Sequence, residues 1–306
     1  MTSPPHQTVA VSGRRSDTIE LDIPVHFLEW EGQGDATFVL VHGLGGSALN
    51  WTLAAPLLAA RGRVLAPDLA GHGRTPRAGR ASSIDANREL LDAFLEAKAD
   101  GPVVLAGNSL GGLISMLEAA AAPERVAALV LVDAALPSVG EADPLVTQTF
   151  AAYSTPGVGE QLVRTFRETA GPEGMVDYVF QMCCVDASRI PQEVVTEHVE
   201  QLREHLDDER DAGFLESART MLELLSDPDR LREVVRAVRA PTLLLCGDAD
   251  RLVPLSATQA LADLRPDWTF EVLDGLGHIP MLEDPERFAR VTGAWLDGLG
   301  IAPVRR

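Results

Sequence analysis

The most marked shortage in this sequence is of positive charge, and of lysine in particular. The 306 residues include 26 basic and 45 acidic side chains, the formal net charge is −19, and the only lysine is Lys98. A surface this negative repels phosphate backbones and anionic lipid headgroups, so we expect no nucleic-acid partner and no membrane-surface partner. The shortage also removes the lysine that a P-loop requires, and it leaves only Lys98 for Schiff-base chemistry.

Cysteine and long apolar segments are also scarce. Only three cysteines occur, and two of them, Cys183 and Cys184, are neighbours, which is a poor geometry for an ordinary disulfide. An odd and low cysteine count favours a reducing compartment. The first 17 residues lack the apolar segment of a signal peptide, and no apolar run is long enough to span a bilayer. These absences predict a soluble, cytoplasmic protein.

Strand-like and helix-like segments alternate at both ends of the chain but not in its middle. Buried strands are predicted at 103–106 and 126–132 with a helix between them, a pattern typical of a parallel sheet covered by helices on both faces. A pair of strands at 19–23 and 25–30 precedes them. From 137 to 239 only helix-like segments occur, and the alternation then returns.

This organisation predicts one α/β domain with a mostly parallel central sheet and an inserted all-helical cap, rather than two domains in tandem. The cap region carries 20 acidic and 10 basic residues, so it holds more than half of the net negative charge. If the cap forms the entrance to a pocket, its field disfavours anionic substrates. The predicted segments are a flexible tail at 1–17, the α/β core at 18–136 and 240–306, and the helical cap at 137–239.

The most specific local signal is the segment GNSLGG at 107–112, which has the pattern G-x-S-x-G between a predicted strand and a predicted helix. A sharp strand-to-helix turn holds such a serine in a strained conformation, and the glycines leave room for the turn and for a substrate. Ser109 then stands at a helix N-terminus, where backbone N–H groups face a developing oxyanion. The motif predicts Ser109 as a nucleophile, against the simpler interpretation of an ordinary serine in a glycine-bearing turn.

A serine hydroxyl is a weak nucleophile and needs a base that is itself oriented by an acid. The chain offers both, because Asp250 and His278 each follow a predicted strand in the later part of the α/β domain. Loops after the carboxyl ends of strands are where ligands bind in open parallel sheets. Asp248 and Asp133 are rival acids, and Asp133 also ends a strand. We prefer Asp250, with Asp133 second.

Acyl transfer also needs hydrogen-bond donors for the oxyanion. The turn around the serine supplies one from the N–H of Leu110, and the loop at 42–47 supplies the N–H of Leu44 as the second candidate. This loop also imitates a dinucleotide-binding fingerprint, because its glycines follow a strand and Asp68 ends the next strand about twenty residues on. We set that interpretation aside because it leaves the predicted triad without a role.

No cofactor and no metal are predicted. His198 and His205 are seven residues apart on a predicted helix and would share a face, which allows a metal pair. A solvated acidic helix face is the simpler interpretation of that segment. The H-E-x-x-H pattern of a helical zinc site does not occur in the sequence.

Taken together and in this order, five segments resemble the α/β-hydrolase fold superfamily. The resemblance spans 19–299 and implies that Ser109, Asp250 and His278 form a catalytic triad. It further implies that Leu44 and Leu110 supply the oxyanion hole and that the helical insertion is a cap. Fold alone does not determine the substrate. The five segments are VHGLGGSALNW at 41–51, PDLAGHGRT at 67–75, GNSLGG at 107–112, GDADRLVP at 247–254 and GHIPMLEDPERF at 277–288.

Within this superfamily, the residue types favour a serine hydrolase that cleaves a carboxylic ester, lactone or thioester in a small molecule. Haloalkane dehalogenases and epoxide hydrolases of this fold have aspartate in the place of Ser109. Meta-cleavage C–C hydrolases are more similar, but they usually have an aromatic residue after the catalytic histidine, where this chain has Ile279. A C–C hydrolase, an acyltransferase and a non-catalytic ligand-binding homologue remain alternatives.

Overall fold

The computed structural model describes residues 13–137 and 143–301. Its strands are β1 (Arg14–Glu20), β2 (Pro24–Trp30), β3 (Ala36–Val41), β4 (Gly62–Pro67), β5 (Val103–Asn108), β6 (Val126–Val132), β7 (Thr242–Gly247) and β8 (Thr269–Leu273). They form one sheet in the order β1-β2-β4-β3-β5-β6-β7-β8. β2 pairs antiparallel with both of its neighbours, and all other neighbouring strands in this sheet are parallel.

Helices connect the parallel strands and form the segment between β6 and β7. They are α1 (Ala55–Leu58), α2 (Ile84–Lys98), α3 (Leu110–Ala121), α4 (Pro144–Ser154), α5 (Val158–Cys183), α6 (Gln192–Glu204), α7 (Asp208–Leu225), α8 (Pro228–Ala237), α9 (Leu255–Leu264), α10 (Pro280–Glu283) and α11 (Pro285–Gly298). Short 3₁₀ turns lie at Ala48–Trp51, Pro123–Arg125 and Ala187–Arg189. Within the described ranges, no helix has both the length and the apolar character of a membrane-spanning segment.

Apolar side chains fill the space on both faces of the central strands. β5 and β7 are buried along their whole length, which explains why they appear in the sequence as unbroken apolar runs. One face packs against α2 and α3 through residues such as Phe94 and Leu113. The other packs against α1 and α11 through Leu58 and Phe288. The predicted fold class, a mostly parallel sheet flanked by helices, is confirmed.

The predicted tail at 1–17 is wrong at its C-terminal end. Arg14–Glu20 is strand β1, which pairs along its whole length with β2, and the predicted strand at 19–23 is therefore shifted. Edge strands with exposed polar side chains give no apolar alternation, so the sequence contains no local signal for β1. The strand is instead fixed by its partner, because the Arg15 guanidinium pairs with Glu29 on β2. Residues 1–12 of the predicted tail lie outside the described residues.

The inserted segment is helical as predicted, but its C-terminal boundary differs. α4, α5, α6 and α7 pack on one another, whereas α8 packs against α3 of the core. Leu231 and Val235 of α8 are buried in the same apolar cluster as α3. The sequence analysis did not separate α8 from the other helices of the insertion, because its partner in the core is distant in the chain, so the predicted boundary at 239 is too late. The predicted start of the cap, at 137, adjoins residues 138–142, which are outside the described part.

Candidate active site

Ser109 lies in the tight turn between β5 and α3, as the motif predicted. Its backbone has φ 53° and ψ −120°, a conformation that residues other than glycine rarely adopt. A Cβ atom on Gly107 would lie 2.2 Å from the Gly111 carbonyl oxygen, and one on Gly111 would lie 2.3 Å from the His42 carbonyl oxygen. Glycine is therefore required at both positions for the turn to close. The resulting strain at Ser109 is typical of functional sites.

The surroundings of Ser109 contain the two backbone groups that the sequence predicts as oxyanion donors. The first α-helical hydrogen bond of α3 runs from the N–H of Leu113 to the Ser109 carbonyl, so the Leu110 N–H has no partner within the helix. Leu44 lies in the loop after β3 and lines the same cavity as Ser109. That loop turns through Gly45, which has φ +71°. The roles of both N–H groups stay predictions.

His278 and Asp250 are hydrogen-bonded to each other after the last two strands of the sheet. The distance from His278 Nδ1 to Asp250 Oδ2 is 2.7 Å, and both side chains are buried. The other oxygen of Asp250 accepts hydrogen bonds from the N–H groups of Leu252 at 2.7 Å and Val253 at 3.1 Å. Because these donors favour the ionised carboxyl, Asp250 is suited to hold the ring proton of His278 on Nδ1. His278 and Ser109 line the same cavity.

Asn108 links the serine turn to the histidine loop, a function that the sequence analysis did not identify. Its Nδ2 donates to the carbonyl oxygens of Val132 at 3.1 Å and His278 at 2.9 Å. The N–H of His278 in turn donates to the carbonyl of Cys183, at the end of α5, at 2.6 Å. The histidine loop is therefore attached both to the core and to the cap. The only sequence signal for Asn108 is its place inside the serine motif.

Glu283 is a second residue that the sequence analysis missed. It is buried, and one of its oxygens accepts a hydrogen bond from the N–H of Gly277, directly before the histidine, at 2.8 Å. The other oxygen accepts from the N–H of Asp186 at 2.9 Å and lies 3.3 Å from Arg189 Nη1. Glu283 thus ties the histidine loop to the segment after α5. Its position within the segment GHIPMLEDPERF was the available signal.

The two rival acids have different surroundings. Asp248 is exposed, and its Oδ1 accepts a hydrogen bond from the N–H of Gly275 at 2.6 Å, so it supports a turn. Asp133 is fully buried at the end of β6, with φ 44°, and its Oδ1 accepts from the N–H of Gly247 at 2.9 Å. Burial, and then the charge of Asp250, raise the pKa of Asp133 well above its usual value.

Asp133, Asp250 and His278 also have the spacing of a metal-binding group, since one ligand atom from each lies within 4.8 Å of the others. The facing atoms of Asp250 and His278 are already joined by a hydrogen bond, which a cation would have to displace. His198 and His205, whose spacing allows a metal pair, are not part of a metal-binding group among the described residues. His198 is half-buried, with its Nδ1 bonded to the Val194 carbonyl and its Nε2 enclosed, whereas the His205 ring lies partly exposed just after α6. The expected solvated face is therefore wrong for His198, whose pKa burial lowers to about 4.

A cavity of about 460 Å³ lies over Ser109 and His278. Helices α4, α5 and α7 provide most of its walls, and no charged side chain lines it among the residues that the structure describes. Cys183 contributes to the wall, and burial raises the pKa of its thiol, so it is not a rival nucleophile. The larger apolar and aromatic lining residues are Leu44, Leu136, Val146, Phe150, Tyr153, Tyr178, Val179, Phe180, Met182, Phe214, Met221, Leu222, Leu225, Leu252, Val253 and Ile279.

The family model of the alpha/beta hydrolase family matches residues 38–291, and the chain belongs to this family. That match includes the serine turn, both loops of the Asp250–His278 pair and the inserted helices. The sequence resemblance to this fold is thereby confirmed. The predicted enzyme class is supported at the level of a hydrolase, since the relatives of the chain include esterases and C–C hydrolases.

Three relatives show which activities occur among proteins similar to this chain. The chain is 31% identical over 284 residues to 2-hydroxy-6-oxononadienedioate/2-hydroxy-6-oxononatrienedioate hydrolase 2 of Pseudomonas putida, covering 89% of this chain and 91% of that protein. It is 33% identical over 253 residues to the pimeloyl-[acyl-carrier protein] methyl ester esterase of Aromatoleum aromaticum, covering 81% and 93%. It is 30% identical over 265 residues to the dihydrolipoyllysine-residue acetyltransferase component of the acetoin cleaving system of Pseudomonas putida, covering 86% of this chain but only 64% of that protein.

Proposed function

We propose that the protein hydrolyses a carboxylic ester, or a related lactone or thioester, through an acyl-enzyme. Ser109 attacks the carbonyl carbon while His278 takes its proton, and the alcohol leaves with that proton. His278 then activates water, which releases the acid and regenerates the serine. Asp250 holds the imidazole in the useful tautomer and stabilises its cation. The N–H groups of Leu44 and Leu110 stabilise the oxyanion.

This proposal depends on one observation, which is that the serine turn and the histidine loop line the same cavity. The strained serine turn presents Ser109 at the N-terminus of α3, and the hydrogen-bonded pair of Asp250 and His278 reaches the same cavity from the far end of the chain. A nucleophile, an oriented base and unpaired backbone donors are the parts that acyl transfer requires. An ordinary serine in a turn would need none of the other features.

The lining of the cavity supports a neutral substrate. Its described walls hold no charged side chain, and residues 138–142, which adjoin it in sequence, include no basic residue. Arg251, next to the lining residue Leu252, is already paired with Asp143 at 3.0 Å. A carboxylate placed in this cavity would lose its hydration without gaining a cation. We therefore propose that the group held between core and cap is neutral and mainly apolar.

Two substrates of equal length test this proposal. The p-nitrophenyl ester of octanoic acid and the mono-p-nitrophenyl ester of octanedioic acid differ by one distal carboxylate. We expect kcat/KM to be at least tenfold higher for the neutral ester. Leu225→Arg should lower this ratio, because it places a cation in the cavity wall where the distal carboxylate can pair with it. A fluorophosphonate probe should label wild-type protein on Ser109. Absence of labelling, together with absence of turnover on a panel of esters, lactones and thioesters, would favour the non-catalytic alternative.

A C–C bond hydrolase is the second candidate, because the hydrolase from Pseudomonas putida aligns with 89% of this chain. The substrates in that relative's name are dicarboxylates, which the uncharged cavity does not favour. A vinylogous diketone with two carboxylates distinguishes the two functions. Turnover of that compound at a higher kcat/KM than the neutral ester would replace our proposal. Alcohol acceptors, added during ester turnover, test acyl transfer.

Three free cysteines, all of them buried, fit a reducing compartment. We therefore propose a cytoplasmic enzyme that acts on a small molecule. The proposed mechanism uses only protein groups and water, so it requires no cofactor. If added metal ions or chelators change kcat, this part of the proposal is contradicted.

A further inference from the structure

A second carboxyl group lies beside the proposed catalytic acid and has no role in the mechanism above. Asp133 ends β6, and Asp250 follows the neighbouring strand β7. One oxygen of each carboxyl and one ring nitrogen of His278 lie within 4.8 Å of one another, and all three side chains are buried. Two carboxyl groups this close in a buried site do not both ionise, because each charge opposes the other in a medium of low dielectric.

No cation compensates a second negative charge at this place. The titratable groups that face Asp133 among the described residues are Asp250 after β7, His278 after β8, Cys246 on β7 and Cys183 at the end of α5. Both cysteines are buried, and burial raises the pKa of each thiol, so neither carries a charge. His278 is already bonded to Asp250. The pair of carboxyls therefore shares one proton.

The hydrogen bonds identify which carboxyl carries that proton. Asp250 accepts three donors: the ring nitrogen of His278 and the backbone N–H groups of Leu252 and Val253. Asp133 accepts from the N–H of Gly247 on Oδ1 and from the thiol of Cys246, which is a weak donor, and it also faces the Asp250 carboxyl. Donors stabilise the ionised form, so the negative charge belongs on Asp250 and the proton on Asp133.

We infer that Asp133 is a neutral carboxylic acid that donates a hydrogen bond to the Asp250 carboxylate and so positions the catalytic acid. This inference rests on the proposed function for its catalytic consequence but not for the protonation of Asp133. The hydrogen bond adds to the contacts that Asp250 makes with its backbone donors and with His278. It also keeps the negative charge next to His278 at a single unit.

Substitution of Asp133 by asparagine and by alanine separates this role from that of a second catalytic acid. Asparagine keeps an oxygen for Gly247 and an N–H donor for Asp250, and it tolerates the left-handed backbone at this position. We expect Asp133→Asn to retain kcat within about threefold, and Asp133→Ala to lower kcat at least tenfold with little change in KM. The acid limb of kcat/KM against pH should stay in place in Asp133→Asn, because no charge has been removed.

An ionised Asp133 predicts different results. If Asp133 is ionised, Asp133→Asn removes a negative charge from beside His278. The acid limb of kcat/KM against pH would then shift to lower pH by about one unit or more. A loss of kcat in Asp133→Asn equal to that in Asp250→Asn would likewise overturn the inference. Comparable kcat values for the asparagine and alanine variants would overturn the positioning role.

The protonation state can also be measured without turnover. Infrared spectra of wild type and Asp133→Asn, each taken at pH 7, should differ by the carbonyl band of one protonated carboxylic acid, and this band should shift in D₂O. If no such band is found in wild type, the inference fails even when the ester hydrolase activity is confirmed. If the band is found in an inactive protein, only the proposed function fails.

Discussion

The described part of the chain contains two series of serine, histidine and aspartate, each with a hydrogen-bonded histidine–aspartate pair, and one of them has the surroundings of a catalytic site. In the first, His278 Nδ1 lies 2.7 Å from Asp250, and Ser109 shares their cavity. In the second, His26 Nδ1 lies 2.7 Å from Asp68, and His26 Nε2 lies 2.8 Å from the hydroxyl of Ser16. The His–Asp distance is the same in both.

The difference between the two series lies in the backbone around the serine. Ser16 is in the middle of the edge strand β1 and is exposed, so it has neither a helix N-terminus nor a cavity around it. Ser109 has both, together with a strained backbone that points it away from the sheet. The proposed nucleophile is therefore Ser109 and not Ser16, because residue types and hydrogen bonds do not make a nucleophile without oxyanion donors and room for a substrate.

Asp68 has a structural role in place of a catalytic one. Its Oδ1 accepts a hydrogen bond from the N–H of Ala48 at 2.6 Å, and its Oδ2 accepts from the N–H of Arg74 at 2.8 Å. It is fully buried, and although burial opposes ionisation, the hydrogen bond from His26 keeps its pKa below the usual value. Asp68 thus joins β2 to the two loops that follow β3 and β4.

The largest expected effect comes from removing the two serine hydroxyls one at a time. Ser109→Ala should lower kcat for a p-nitrophenyl ester by several orders of magnitude, on the order of 10⁶ if the triad acts as a unit. Ser16→Ala, the matched control, should leave kcat within twofold. Steady-state kinetics on both purified variants give the answer. Equal losses in the two variants would remove the distinction between the two series.

Substitution of Asp250 should lower kcat, whereas substitution of Asp68 should lower stability. Asp250→Asn should lower kcat by about 10⁴, because the imidazole then takes the wrong tautomer. Asp68→Asn should mainly lower stability, by about 1–3 kcal/mol, because a buried charged acceptor of several hydrogen bonds is lost. Turnover and urea unfolding, measured on the same preparations, test this. A stable Asp68→Asn protein with turnover as low as Asp250→Asn contradicts the structural role.

Acid should lower the free energy of unfolding through His72, a buried histidine in the loop after β4 that Asp68 holds. His72 is buried next to His42, and burial followed by the His42 charge lowers its pKa from 6.5 to about 3. Between these values the unfolded chain binds the proton and the folded chain does not, so stability falls as the pH drops below 6.5. At pH 5 this contribution costs about 2 kcal/mol.

His72→Gln should remove that contribution. Urea unfolding of wild type and variant at pH 7.5 and pH 5 measures it, and the variant should lose about 2 kcal/mol less than wild type. The test compares the loss in the variant with the loss in wild type, because Glu118 contributes equally to both proteins. Burial raises the pKa of Glu118 to about 7, so its contribution to stability increases as the pH falls. An equal loss in both proteins would show that His72 is protonated in the folded state.

Local patterns were sufficient to predict the serine turn and the two loops with Asp250 and His278. In each case the decisive residues are within a few positions of a strand end, and glycine or strand periodicity marks the place. The link from Asn108 to His278 could not be predicted, since it joins residues 170 positions apart. For the same reason, the sequence did not reveal that Asp133 lies beside Asp250.

The edge of the sheet was harder to predict than its centre. The central strands are buried on both faces and are therefore apolar throughout. β1 has polar side chains and is held by pairing with β2, so its N-terminal half was assigned to a tail. The series around Asp68 was missed with it, because Ser16 lies in the part of β1 that the sequence did not indicate. A strand that depends on pairing with its neighbour rather than on buried side chains gives no local apolar pattern.

The smallest expected effect is on the stability of that edge. Ser16→Ala removes the hydroxyl that is hydrogen-bonded to His26, and a hydrogen bond at an exposed strand contributes about 0.5–1.5 kcal/mol. The thermal midpoint should therefore fall by a few degrees at most. Ser16→Thr keeps the hydroxyl and favours a strand, so its midpoint should be at least that of wild type. If threonine lowers the midpoint as much as alanine does, the hydrogen bond to His26 does not stabilise β1, and the second series is only a coincidence of neighbouring side chains.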